Sequence, residues 1–306
     1  MVDNMKRYIN YYYGLDIKQI VLNKNRYVII SDNDTYIFEK SRFSFFEEYY
    51  SFLEQELEKY KYFSRIIKNR FNRAITIING VPYILLKVEK AMMEKISIFD
   101  IKDNLCVENE KILNRIVHFP WDRLWSEKID YMEEWLESKK DSYIQLYPIF
   151  KYYIGLSENA LLYFKKVNDD NFSNLNKSFQ HYRLRFDSEL CDYYDPTNII
   201  IDYKCRDISE YIKSVALEDK VDINILNNYI IKNNYNVIDL QYLYSRMLFP
   251  SFFFDYIEDK IMNNDNIEAE YLEKIGYKYE RFIKEISQYL KNVYNIAIVD
   301  WAIKKA

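Results

Sequence analysis

Asn198-Ile199-Ile200-Ile201-Asp202-Tyr203, followed after Lys204 by Cys205-Arg206-Asp207-Ile208, decides how this chain reads. Three consecutive isoleucines favour an extended, buried segment. The run ends in an acid, so a buried strand from 198 to 202 would bring the Asp202 carboxylate to its rim. The next segment is amphipathic from about 207 to 217, which predicts a helix with Asp207 in its first turn.

Working outward, the chain downstream has helical periodicity over 222–233, 236–248, 251–262 and 268–291, with Pro250 at a helix start. Upstream, 124–136 and 142–153 read as two helices, and Ser157-Glu158 as the entrance to a third. The first ninety residues differ. Tyr27-Val28-Ile29-Ile30 and Thr35-Tyr36-Ile37-Phe38 flank the turn Ser31-Asp32-Asn33-Asp34, which predicts a hairpin. Ala74 to Ile78, Asn79-Gly80 and Pro82 to Val88 predict a second. Apolar residues at three and four over 43–62 predict a helix between them. The stretch holding Ile17, Ile20, Val21 and Leu22 is assigned to an N-terminal helix. The fold class is therefore α+β: a β-rich unit over 1–90 with one long helix, then a mainly helical unit over 91–306.

The 306 residues are 49% apolar, enough for two real cores and too apolar for global disorder. Four glycines and five prolines argue against linker-rich or glycine-loop architectures. The net charge of −4 comes from interspersed acids and bases, so no nucleic-acid partner is expected. No apolar run approaches the roughly 18 residues that span a bilayer. Cys106, Cys191 and Cys205 are too few and too far apart for a disulfide framework, which makes a reduced, cytoplasmic setting the default.

Four strings carry more specific information: Tyr152-Tyr153-Ile154-Gly155-Leu156-Ser157-Glu158-Asn159-Ala160, Cys205-Arg206-Asp207-Ile208-Ser209-Glu210-Tyr211-Ile212, Tyr244-Ser245-Arg246-Met247-Leu248-Phe249-Pro250-Ser251-Phe252-Phe253-Phe254 and Ile298-Val299-Asp300-Trp301. In this order they resemble the kinase-like spore coat proteins of endospore-forming bacteria, the YutH type and more distantly the CotS type. These belong to the aminoglycoside-phosphotransferase branch of the protein-kinase fold. The resemblance implies that fold, with a small β-rich N-lobe and a large helical C-lobe. It also implies the spore coat as location and other coat or scaffold proteins as partners.

A working phosphotransferase of this kind needs a flexible phosphate loop, a phosphate-pairing lysine, a catalytic carboxylate and magnesium ligands. The resemblance places the loop at Ser31-Asp32-Asn33-Asp34, which has no glycine and two acids. It places the lysine at Glu39; Lys40 is the neighbour and Lys87 a further candidate. The catalytic loop falls on His181-Tyr182-Arg183-Leu184, where Arg183 occupies the position of the acid and Ser188 that of the second metal ligand. Arginine cannot accept a proton at neutral pH. Asp202 matches the magnesium position, with capping or pairing to Arg206 as its structural alternative. Asp207 matches a structural acid that ties down the catalytic loop.

The expectation is a degenerate, pseudokinase-type protein with a structural role, holding no cofactor. The alternative is an active small-molecule phosphotransferase that uses ATP and magnesium at Asp202, with Asp187, Asp192 or Asp195 as base. A third possibility is an unrelated helical interaction protein. His181 and His118 are too far apart in sequence to suggest a zinc pair. His118 before Phe119-Pro120-Trp121 reads as packing at a helix start, and Phe252-Phe253-Phe254 as core.

Overall fold

The computed structural model describes residues 2–23, 25–32, 34–41, 50, 57, 63–101, 120–141, 143–171 and 177–302. The helix expected over 43–62, the position of His118 and the turn residue Asn33 lie outside them, apart from Tyr50 and Leu57. The chain divides into two compact units. One holds the described residues within Met1–Ile96 together with Asp187–Ile200. The other holds those within Ser97–Leu113, Val117–Phe186 and Ile201–Ala306.

The first unit begins with α1 (Val2–Tyr13). It ends where Gly14, at φ +65°, donates its N–H to the Asn10 carbonyl at 2.8 Å, a left-handed stop that suits glycine. The apolar stretch after it is a strand, β1 (Gln19–Asn23), and not the helix expected. Its isoleucine, valine and leucine are consecutive, which suits a strand better than a helix stripe. The expected hairpins form as β2 (Arg26–Ser31) with β3 (Asp34–Lys40), and β5 (Ile75–Ile78) with β6 (Val81–Val88). Asn79 and Gly80 both take positive φ, the conformation a two-residue hairpin turn requires. With the short β4 (Arg65–Ile66), these strands form an antiparallel sheet in the order β1-β2-β3-β6-β4, and β5 also pairs with β6. Met5 and Ile9 of α1 pack with Tyr36, Phe38, Tyr83 and Leu85 on one sheet face.

The segment 187–200 contributes the short helix α4 (Leu190–Tyr193), capped reciprocally by Glu189 and Asp192. The same two carboxylates hold the buried Arg26 of β2, Glu189 at 2.5 Å. Burial disfavours the charged guanidinium, but Asp192 and Glu189 outweigh it and keep Arg26 firmly protonated.

The second unit is helical: α2 (Trp121–Ser138), α3 (Tyr147–Asn171), α5 (Arg206–Leu217), α6 (Ile223–Lys232), α7 (Val237–Leu248), α8 (Ser251–Asn263) and α9 (Ala269–Tyr294). The strand β7 (Lys177–His181) pairs with β8 (Ile199–Tyr203) in a two-stranded sheet, and the last residues of β8 belong to this unit. The two helices expected over 142–153 and from 157 are one continuous α3. Ser157 lies inside it, fully buried, with its hydroxyl donating to the Tyr153 carbonyl at 2.7 Å rather than starting a helix. Phe253 and Phe254 are core, as expected.

Helices α3 and α9 meet closely at Gly276, where an added Cβ would come within 2.9 Å of the Tyr153 hydroxyl. That hydroxyl donates to the Leu272 carbonyl of α9 at 2.7 Å. Alanine at position 276 gains about 1 kcal/mol of helix propensity. The overlap and the displaced hydrogen bond together cost more, about 2–3 kcal/mol. Gly276→Ala is therefore expected to lower stability by about 1–2 kcal/mol in urea unfolding, against the gain its helix propensity alone would give.

Candidate functional site

The acid-bearing strand and the helix after it meet in the second unit. Asp202 is the fourth residue of β8, a strand buried along its whole length, and is itself 0% exposed. Its Oδ2 accepts the Trp121 indole N–H at 2.9 Å and Arg206 Nη1 at 2.6 Å, and its Oδ1 accepts the Tyr203 backbone N–H at 2.7 Å. Lys177 on β7 is pushed down by burial, and the Asp202 charge offsets part of that shift.

Arg206, first in α5, uses its remaining donors on the chain just after β7. Its Nε donates to the His181 carbonyl at 3.0 Å and its Nη2 to the Tyr182 carbonyl at 3.1 Å. Asp207 completes the clamp. Its Oδ1 accepts the His181 backbone N–H at 2.9 Å, and its Oδ2 lies 2.6 Å from His181 Nδ1. A carboxylate only accepts, so this contact places the imidazole proton on Nδ1. In return the Asp207 backbone N–H donates to Gln180 Oε1 at 2.8 Å. His181, Asp202, Arg206 and Asp207 thus form one bonded group, and the segment carrying Arg183 leaves from it.

Arg183 itself turns outward, with 44% of its side chain exposed, and pairs with Asp255 of α8. Arg185 pairs with the same carboxylate at 2.5 Å. Both arginines line a cavity of about 130 Å³ in this unit. Its wall also includes Trp125, Lys128, Arg206, Glu210, Arg246, Phe249 and Phe254. Of these, Trp125, Phe249 and Phe254 form a stack with Trp121. The Trp125 and Phe249 rings lie 4.5 Å apart and nearly parallel, and the Arg246 guanidinium rests 4.8 Å over Trp121.

Glu210 joins this wall to the core. It accepts from Arg246 Nε at 2.7 Å and pairs with Lys213 at 2.9 Å. Lys213 is buried and also donates to the Phe249 carbonyl and the Ser251 hydroxyl. Burial alone would raise the Glu210 carboxyl, but Lys213 and Arg246 overcome it and hold it well below the usual range. Burial pushes the Lys213 ammonium down to about 8, only partly restored by Glu210.

The other sequence candidates lie in the first unit. Lys40, at the exposed end of β3, pairs in register with Tyr83, and strand alternation puts it on the face of Tyr36 and Phe38. Glu39 is on the opposite face. Lys87 pairs with Asp34 at 2.7 Å. Asp192 is engaged by Arg26, and Asp195 caps the turn at Thr197 by accepting its N–H and hydroxyl. Ser188 offers its carbonyl to the Ile96 N–H at 2.9 Å. Among the described residues no group of three or more His, Cys, Asp or Glu side chains is placed to hold a metal ion. No helix there is long and apolar enough to cross a membrane.

Sequence reading missed Trp121, Arg185, Glu210, Arg246 and Asp255 as members of this group. Glu210 and Arg246 fell inside strings noted for another reason, and Trp121 read as a helix start. Asp255 reaches Arg183 from 72 residues away, and no local pattern signals that.

The Glu210 pairing has a pH signature. Its folded-state pKa is depressed, so its stabilisation is complete above the unfolded value near 4.3 and is lost as pH falls through the folded value. Glu210→Gln is expected to be less stable than the parent at pH 7 by about 2–3 kcal/mol, the scale of hydrogen bonds to charged groups. In urea unfolding the gap should narrow as pH drops toward about 3.

Residues 6–295 match a family model described as "Spore coat putative kinase YutH". The endospore coat-associated protein YutH of Bacillus subtilis (strain 168) is 23% identical over 320 residues, covering 91% of each chain. Among solved structures, spectinomycin phosphotransferase APH(9)-Ia with ADP and spectinomycin superposes with a TM-score of 0.60 at 13% identity, covering 92% of this chain and 94% of that one. An aminoglycoside phosphotransferase from Alicyclobacillus acidocaldarius gives 0.55 at 10% identity, covering 92% and 95%. These likenesses show the fold, and the near full-length family match settles the grouping: the chain belongs to the YutH family of spore coat proteins, built on the protein-kinase-like fold of the aminoglycoside phosphotransferases.

Proposed function

We propose that this chain is a catalytically degenerate member of its family that serves the spore coat as a structural or scaffolding component. The observation that carries this reading is the state of Asp202. Its carboxylate is fully buried, and Trp121, Arg206 and the Tyr203 N–H all donate to it. A magnesium ion keeps several water or phosphate oxygens around it and needs a carboxylate that faces them. Here ligation would have to displace a buried arginine and an indole that the aromatic stack fixes in place. Arg183 adds support. At the position the family resemblance gives to the catalytic acid, it offers a permanent cation that pairs with Asp255 and cannot take a proton from a hydroxyl.

The relative's description as coat-associated supports the spore coat as the location, and other coat proteins are the partners this reading implies. The competing reading, phosphotransfer with a rewired base, needs a free carboxylate. Asp192 and Asp195 are committed to Arg26 and to a cap, which leaves the exposed Asp187.

Calorimetric titration of the full chain with ATP and magnesium decides between them. The expected result is no heat of binding at micromolar affinity and no shift in melting temperature with nucleotide. Micromolar ATP–magnesium binding that Asp202→Asn abolishes would overturn the proposal in favour of an active phosphotransferase.

A further inference from the structure

The cavity wall combines five cationic side chains, Lys128, Arg183, Arg185, Arg206 and Arg246, with the carboxylates of Glu210 and Asp255. The pairing is unequal. Asp202 answers Arg206 and Glu258 answers Lys128. Asp255, however, is shared by Arg183 and Arg185, and Glu210 by Arg246 and Lys213. On the wall itself five cationic side chains stand with two carboxylates, in a chain whose net charge is −4. Arginine is the residue for recognising planar or tetrahedral oxyanions, because its fork matches two oxygens at once. Aromatic walls lower the local dielectric and strengthen the attraction. At about 130 Å³ the cavity is smaller than the several hundred Å³ typical of drug-sized ligands.

We propose that this cavity is a binding site for a small oxyanion of the phosphate type, held chiefly by Arg183 and Arg185. The ligand is a free oxyanion and not a nucleotide, and phosphate titration reads it independently of the nucleotide titration above. Asp255 acts as the internal competitor: it occupies the same two forks, and an incoming phosphate takes its place. The two arginines are 44% and 46% exposed, so they can change partner without unfolding the core.

The test is isothermal titration of the full chain with inorganic phosphate, against sodium chloride at equal ionic strength. Saturable phosphate binding is expected, absent with chloride. The double variant Arg183→Ala, Arg185→Ala should lose about tenfold or more in affinity. Asp255→Asn should gain affinity, because the competitor is gone; a purely structural role for Asp255 would not produce that gain. Arg123→Ala, which removes an exposed cation paired with Glu127 outside the cavity, should leave phosphate binding unchanged. Circular dichroism confirms that each variant folds. A phosphate response no greater than that of chloride, or one unaltered in the double arginine variant, would defeat the proposal. So would reduced affinity in a folded Asp255→Asn variant.

Discussion

The clamp that the first two residues of α5 place on the end of β7 is the constraint from which the site follows. Arg206 and Asp207 satisfy the His181 N–H, the His181 and Tyr182 carbonyls and the imidazole proton, and Arg206 also neutralises Asp202. Each charge here is buried, and a buried charge is tolerable only when paired and hydrogen-bonded. Removing one partner of such a set costs about 3–5 kcal/mol, because the other is left uncompensated. The mutual dependence fixes the backbone that delivers Arg183 and Arg185, and Arg206 itself reaches from this clamp to the cavity wall.

A second layer lies against this clamp. The Trp121, Trp125, Phe249 and Phe254 stack draws its rings from α2, α8 and the residue joining α7 to α8. Trp121 belongs to both layers, since its ring stacks while its indole N–H serves Asp202. Arg246 likewise lies over the stack and bonds Glu210. Stacking and charge pairing thus reinforce one another, and a change in either moves both. Such shared membership favours a rigid site over an adaptable one.

The protein has the protein-kinase-like fold of the aminoglycoside phosphotransferases, and three donors within that fold engage its Asp202 carboxylate. That carboxylate is tied inward by Trp121, Arg206 and the Tyr203 N–H, while Arg183 turns outward to Asp255. The neighbouring cavity joins the guanidinium groups of Arg183, Arg185, Arg206 and Arg246 to Lys128, the carboxylates of Glu210 and Asp255, and apolar and aromatic side chains.

Much of the fold was legible in the sequence. The triple isoleucine run favoured a buried, extended segment, Asn79-Gly80 signalled a hairpin turn, and the helical periodicity of 207–217 and 268–291 marked the helices found at Arg206–Leu217 and Ala269–Tyr294, because these are local steric and periodic signals. The β1 strand was misread because five residues beside a helix carry too little period to separate the two forms. The break assumed near Ser157 failed because a buried serine can bond back to its own helix. The site's electrostatics were not legible. Asp255 meets Arg183 across 72 residues, Trp121 meets Asp202 across 81, and Arg26 meets Glu189 across 163. Local chemistry wrote the strands, the helices and the identity of the groups in question. Which carboxylate is consumed and which cation faces a cavity depended on long-range packing, since pairing is decided by distance in space and by the dielectric that burial creates.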